Sequence, residues 1–220
     1  MALEKGIAEL VEEFIAAGRP SSRQQSITQR REGYIASAVL AGETETRVDI
    51  QTIELEGMTL RIVSPLNAPT LLQLRQLAYY GQCRIIAVQY RLAPEHTFPA
   101  AHDDAQRGAE LVRQHAEQLG VDKQRITLAG DSAGGHLALV TALRLKRAGE
   151  WQPAQLILIY PMLDATAHFE SYIRNGHDYI ITRDTLLSGF EMYLPGIERR
   201  HPEASPIWRN DFNGLPPVHI

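Results

Sequence analysis

The chain of 220 residues is 44% hydrophobic and 22% charged, with a formal net charge of −4 at pH 7. This length and composition predict one globular domain with a substantial buried core. Acidic and basic residues are scattered along the sequence, so it contains no basic field for nucleic acid, and no apolar run is long enough to span a membrane.

The N-terminal part of the chain favours two helices. Residues 1–18 place apolar side chains such as Ile7, Leu10 and Phe14 between glutamates, and a second helical pattern covers residues 24–40. The interrupted hydrophobicity and the acidic flank argue against a signal peptide. The single cysteine, Cys83, excludes an internal disulfide and is interpreted as a buried thiol. We therefore expect a cytoplasmic protein.

The next elements are strands. Residues 47–55 and 58–64 have strand-like patterns that meet at Glu56-Gly57, which predicts an antiparallel pair. From residue 84 onwards, short apolar strands at 85–88, 126–129 and 156–159 alternate with helix-length segments. Strands that are apolar on both faces are typical of a parallel sheet covered by helices, so the pattern predicts an α/β protein.

The C-terminal part begins with a more polar stretch. Residues 163–200 favour an insertion over the rim of the sheet, with a helix that starts after Thr182 as N-cap and stops at Pro195-Gly196. Residues 214–220 have the pattern of a turn that opens into another buried strand.

The first motif that points to a catalytic function is the run Gly130-Asp131-Ser132-Ala133-Gly134-Gly135, which fits the pattern G-x-S-x-G. A strand precedes it and a helix follows it, as in a nucleophile elbow, where a strained turn presents a serine hydroxyl above the sheet. Ser132 is therefore the candidate nucleophile, and the N–H of Ala133 is the candidate oxyanion donor. We expect Gly130 and Gly134 to remove side chains that would collide across the turn.

Two plainer interpretations of the same run are also open. Ser132 could be an ordinary N-cap on a glycine-rich loop, or the loop could grip a phosphate. The established phosphate-binding patterns, G-x-x-x-x-G-K-[ST] and G-x-G-x-x-G, do not occur in it.

A second stretch makes the interpretation more specific. Tyr-Arg-Leu-Ala-Pro-Glu-His at 90–96 and Phe-Pro-Ala-Ala at 98–101 precede the elbow by about thirty residues. Together with the elbow, this stretch resembles the bacterial hormone-sensitive-lipase-like carboxylesterases. Similar residues of that family fall at 160–164, 204–206 and 215–217, so the resemblance covers roughly residues 45 to 220.

The resemblance implies an α/β-hydrolase fold, with a mostly parallel sheet, helices on both faces and a helical cap. Residues 1–43 would form the N-terminal cap segment, and 44–220 the core with a cap insertion at about 165–200. It also implies hydrolysis of short-chain acyl esters through a serine acyl-enzyme, with no metal or other cofactor, a small-molecule ester as partner, and a homodimer. Arg91 and Glu95 match residues that brace the loop beside the active site, although a surface ion pair would explain them equally. Asp131 matches a structural position.

The sequence departs from the family at three points. The family's His-Gly-Gly loop and the strand before it are missing between Ser64 and Leu71, and the triad's Asp and His match no motif in this chain. The later His and Asp residues, among them His136, are therefore not assigned as the base. Without a base, this chain should be nearly inactive. Two hypotheses follow: an esterase whose sequence is incomplete here, or a ligand-binding protein on the same scaffold, similar in kind to the plant gibberellin receptors.

Overall fold

A computed structural model of the chain describes residues 4–18, 20–36, 48–65 and 72–220. The N-terminal part contains helices α1 (Lys5–Ala16) and α2 (Ile27–Ala36), joined by a 3₁₀ turn at Ser22–Gln24. The two-helix prediction is thus confirmed, while residues 37–47 lie outside the described ranges. The turn carries Arg23, which pairs with two carboxylates of a later helix.

The first sheet has the strand order β1 (Val48–Leu55), β2 (Met58–Pro65) and β3 (Ile85–Val88), with antiparallel pairing throughout. At the β1–β2 turn both Glu56 and Gly57 have positive φ, 49° and 77°, which is the backbone twist that a two-residue hairpin needs. The predicted antiparallel pair is therefore confirmed. Between β2 and β3 lies helix α3 (Leu72–Tyr80), whose Ala78 packs with Val48 and Val63.

The second sheet is parallel, with the order β4 (Thr127–Asp131), β5 (Gln155–Ile159) and β6 (Val218–His219). Helix α4 (Ala100–Gln114) precedes β4, and helix α5 (Ala133–Ala148) joins β4 to β5. The buried face of α5, which includes Leu139 and Leu143, packs on Leu156 and Leu158 of β5.

The strands of the described residues form two three-stranded sheets, one antiparallel and one parallel, in agreement with the expected α/β sheet that is incomplete in this chain. In the ranges that the structure describes, β3 pairs with β2 alone and β4 with β5 alone, so each is an edge strand there. One cluster of apolar side chains nevertheless joins the two sheets, because it contains Ile86 and Val88 of β3 together with Leu128 of β4. Apolar patterning predicts that a strand is buried, but it does not say which strand lies beside it.

After β5 the chain forms helices α6 (Glu170–Arg174) and α7 (Arg183–Tyr193). The Thr182 hydroxyl accepts a hydrogen bond from the Thr185 N–H at 3.2 Å, which confirms the predicted N-cap. The final strand β6 is also present, but it is exposed and not buried as expected. The interpretation of Cys83 as a buried thiol is wrong, because this residue lies exposed between α3 and β3. No helix in the described ranges is both long and apolar enough to cross a membrane.

Candidate active site

Ser132 lies at the sharp turn between β4 and α5. Its backbone has φ 51° and ψ −116°, a conformation that side-chain-bearing residues rarely adopt. Such strain costs about 1–3 kcal/mol and persists only where the surroundings hold it in place. The local geometry is therefore that of the predicted nucleophile elbow.

Backbone hydrogen bonds from the end of β5 and from the segment after it hold this strained backbone in place. The Ser132 N–H donates to the Ile159 carbonyl at 2.9 Å, and the Met162 N–H donates to the Ser132 carbonyl at 3.1 Å. Both polar backbone groups of Ser132 are thus used. Its half-buried side chain has no hydrogen-bond partner among the described residues, so the hydroxyl is available for chemistry.

The glycines around Ser132 differ in their roles. A Cβ on Gly130 would collide with the Gly134 carbonyl and lie 2.7 Å from the Gly135 nitrogen, all of them backbone atoms. A Cβ on Gly135 would lie 2.9 Å from the Gly130 carbonyl oxygen, whereas one on Gly134 would meet nothing within 4 Å. The expectation for Gly130 is confirmed, but that for Gly134 is wrong, because it is Gly135 that faces the incoming strand.

Ala133 is the first residue of α5 and is exposed. An N–H at the first position of a helix has no intrahelical acceptor, and the described part of the chain supplies none. The partial positive charge at this end of α5 adds to the attraction for an anion. Ala133 is therefore placed to donate to an oxyanion formed beside Ser132.

No imidazole of the described residues bonds to Ser132. His136, one turn further along α5, is buried and turned inwards: its Nδ1 lies 2.7 Å from the Met162 carbonyl oxygen, and its Nε2 lies 2.9 Å from Nε2 of His102. Burial lowers the pKa of His136, although the carbonyls of Met162 and Glu203 act in the opposite direction. His136 is thus an interior residue whose two ring nitrogens face Met162, His102 and Glu203 rather than Ser132.

Arg91 and Glu95 do not pair with each other. Arg91 donates from its backbone N–H at 2.8 Å, and from its guanidinium, to the carboxylate of Asp104 on α4. Burial works to raise the pKa of Asp104, but these hydrogen bonds from Arg91 bring it below its usual value. Glu95 instead receives two hydrogen bonds from Arg31 of α2, at 3.0 and 2.7 Å, in an exposed ion pair. Arg91 therefore braces the loop, and Glu95 joins it to the N-terminal helices.

Aromatic side chains follow two of the strands. Tyr90 comes just after β3, and burial raises its pKa, with smaller contributions from Tyr34 and from Asp131 at the end of β4. Tyr160 directly follows β5, has φ 36° and is 67% exposed. Tyr160 is thus an exposed side chain one residue beyond the carbonyl that accepts from the Ser132 N–H. Within the described ranges no group of three or more His, Cys, Asp or Glu residues could hold a metal ion.

Sequence reasoning missed several residues that organise the site. Met162 and Ile159 anchor Ser132 through backbone groups, which leave no side-chain pattern in a sequence. The inward position of His102 could have been predicted from the sequence, because His102 lies about one helical turn before Ala105 and extends the apolar stripe of α4. Its partner Tyr193 comes from the distant α7 and could not have been assigned from spacing.

Comparison with known proteins agrees with this geometry. A family model described as the alpha/beta hydrolase fold matches residues 63–220. Carboxylesterase NlhH of Mycobacterium tuberculosis is 34% identical over 150 residues, which cover 66% of this chain and 47% of that protein. An ethyl acetate hydrolase of Pseudomonas putida is 32% identical, over 90% of this chain and 73% of that protein.

A solved structure gives the same result in three dimensions. The hyperthermophilic esterase of the archaeon Pyrobaculum calidifontis superimposes with a TM-score of 0.85 and 30% identity, covering 99% of this chain and 79% of that one. The chain spans about half the length of the first curated relatives that it matches, 47% in the case of NlhH. The strained Ser132 elbow, the family match over residues 63–220 and these relatives lead to one conclusion: the chain belongs to the α/β-hydrolase fold family, in its hormone-sensitive-lipase-like carboxylesterase branch.

Proposed function

We propose that Ser132 is the nucleophile of a carboxylic ester hydrolase, and that the complete protein acts on short-chain acyl esters. The observation that carries the proposal is the strained Ser132 backbone, held by Ile159 and Met162 so that the side chain stands free at the start of α5. A serine in a plain N-cap needs no such strain.

The reaction proceeds in two acyl transfers. The Ser132 oxygen attacks the ester carbonyl carbon while its proton passes to a general base, and the carbonyl π electrons move onto oxygen. Ala133 N–H donates to this oxyanion. Collapse of the intermediate breaks the bond to the alcohol, which takes the proton and leaves an acyl-serine. Water then attacks the acyl-serine, giving the carboxylic acid and the free Ser132 hydroxyl.

The general base belongs to a part of the protein that this chain does not contain. This proposal is supported by His136, the imidazole next along the chain from Ser132, which is buried and bonded to Met162 and His102 instead. We likewise propose that the strand and glycine-rich loop missing after Ser64 would lie between β3 and β4 in the sheet of the complete protein. Among the described residues both strands are edges, although one apolar cluster contains side chains of both.

The division of the chain is proposed on the same grounds. Residues 1–43 and about 165–200 together form a cap, and 44–220 otherwise form the core. Support comes from the contacts of Arg23 with Asp184 and Glu191 of α7, which join the two segments. A short acyl chain is supported by relatives whose names specify it, an ethyl acetate hydrolase and an acetyl-hydrolase of Streptomyces hygroscopicus.

Labelling with a fluorophosphonate probe tests the nucleophile. We expect the full-length gene product to react at Ser132 and the Ser132→Ala variant to remain unlabelled. The 220-residue chain should hydrolyse p-nitrophenyl acetate near the background rate, and the full-length protein should lose about 10⁴-fold or more on Ser132→Ala. A full-length protein that is folded but unlabelled would contradict the proposal and favour the ligand-binding hypothesis. Ser132-dependent turnover by the short chain would contradict the proposal about the base.

A further inference from the structure

A row of buried polar groups connects α7 to the backbone that holds Ser132. The Tyr193 hydroxyl lies 2.7 Å from Nδ1 of His102, and Nε2 of His102 lies 2.9 Å from Nε2 of His136. Nδ1 of His136 lies 2.7 Å from the Met162 carbonyl oxygen. These four residues come from α7, α4, α5 and the segment after β5, and we call them the histidine chain.

Donor and acceptor rules limit where the protons of the histidine chain can lie, and the order below is the one with two neutral rings. The Met162 carbonyl can only accept, so Nδ1 of His136 carries a hydrogen, and its Nε2 is then an acceptor in the neutral ring. His102 must therefore donate from Nε2, which it shares with the Glu203 carbonyl at 3.0 Å. Its Nδ1 then accepts the hydrogen of the Tyr193 hydroxyl. The Glu203 carbonyl oxygen also lies 2.9 Å from Nε2 of His136, so this neutral order leaves two acceptors close together, whereas the alternative order makes His136 an imidazolium that donates to both Met162 and Glu203.

The end of the histidine chain is the point where the elbow is anchored. The carbonyl of Met162 receives the His136 hydrogen bond, while the N–H of the same residue donates to the Ser132 carbonyl at 3.1 Å. We propose that Tyr193, His102 and His136 are positioning residues that keep Met162, and through it the Ser132 elbow, fixed relative to α7. The importance of this for catalysis rests on the proposed function of Ser132, but the arrangement itself does not.

The charged groups around the pair favour neutral imidazoles. Burial, with smaller contributions from His136 and from the Arg144 cation of α5, lowers the pKa of His102 to about 3. The Glu203 carboxylate faces the pair from the other side, but Arg144 engages it at 2.6 Å. The ring of Phe98 packs on His102 and also contacts His201, which lies on the loop before Glu203. A second hydrogen on His136 would require His102 to carry its own hydrogen on Nδ1, because two Nε2–H donors cannot face each other.

Nuclear magnetic resonance on the 220-residue chain tests the proton order directly. At pH 7, long-range ¹H–¹⁵N spectra should show His102 as the Nε2–H tautomer and His136 as the Nδ1–H tautomer, both neutral. An Nδ1–H tautomer for His102, or an imidazolium at either position, would overturn the proposed order.

Hydrogen exchange tests whether the histidine chain positions the elbow. Tyr193→Phe removes one hydroxyl and keeps the ring, so the Met162 amide should exchange about five- to tenfold faster, as for loss of one buried hydrogen bond. Tyr172→Phe is the matched control, since it deletes a hydroxyl that donates to the Asp164 carbonyl outside the histidine chain at 2.9 Å. It should leave Met162 unchanged. Equal effects of the two variants, or no effect of Tyr193→Phe, would refute the positioning role.

A second pair of variants separates positioning from bulk packing. His136→Asn retains an amide N–H near the position of Nδ1 and should preserve the slow exchange of the Met162 amide, whereas His136→Leu should lose it. Protection that is the same in both variants would contradict the role of His136. None of these measurements uses esterase activity, so an unreactive Ser132 would defeat the proposed function and leave this proposal standing.

Discussion

Replacing Ser132 by glycine should make the protein more stable, because glycine adopts the backbone conformation found here without strain. The residue has φ 51° and ψ −116°, and such strain costs about 1–3 kcal/mol. Glycine loses more backbone freedom on folding than serine, which offsets about 0.5–1 kcal/mol of the stability gained by relieving this strain. The Ser132 hydroxyl has no hydrogen bond among the described residues whose loss would offset the gain. The expected net gain is about 0.5–2 kcal/mol.

Ser132→Ala is the matched control, since it removes the same hydroxyl but keeps the Cβ that makes the conformation unfavourable. Urea unfolding followed by circular dichroism should show increased stability for Ser132→Gly and little change for Ser132→Ala. In a thermal scan, each kcal/mol corresponds to about 2–4 °C in Tm for a chain of this size. Both variants should also be unreactive towards a fluorophosphonate in the full-length protein.

Equal stability of the glycine and alanine variants would refute this reasoning, since it would show that the backbone at Ser132 stores no strain. If both variants were destabilised, the hydroxyl would have to make a stabilising contact. Stabilisation confined to glycine would instead establish that the site is held in its reactive shape at the expense of the fold.

Three further predictions concern the groups around the site. Gly130→Ala should lower the free energy of unfolding by about 3 kcal/mol or more, because its Cβ would collide with backbone atoms. Gly134→Ala should change it by no more than about 0.5 kcal/mol, and urea unfolding of the two variants compares them. His102 is buried, and its pKa of about 3 in the folded protein lies well below the ordinary value of about 6.5 that it has in the unfolded chain. The free energy of unfolding should therefore be at its full value above about pH 6.5 and fall by about 1.4 kcal/mol per pH unit below it. His102→Gln should remove that contribution to the slope between pH 6.5 and 4.5, and an unchanged slope would count against a neutral buried imidazole. Arg91→Ala should lower the melting temperature more than Arg31→Ala, because only Arg91 braces a buried carboxylate; the reverse order would argue against this role.

Much of the local structure followed from the sequence. Apolar runs identified β3, β4 and β5, and the Glu56-Gly57 turn identified the β1–β2 hairpin, because both signals depend on residues that are neighbours in the chain. The order of strands was not predictable in this way. β3 and β4 have the apolar character of central strands, yet among the described residues each is paired on one side only.

The candidate site shows the same difference between features that depend on neighbouring residues and features that depend on packing. By itself the sequence determined the elbow, because a strand, a glycine-flanked serine and a helix are consecutive, and the backbone sterics of such a turn are local. Only the tertiary structure decided that Gly135 rather than Gly134 is the tight position, and that Met162 fixes Ser132. It also brought Tyr193 to His102, 91 residues apart in the chain. Those contacts depend on how α4, α5 and α7 pack, and packing joins residues whose separation along the chain carries no signal.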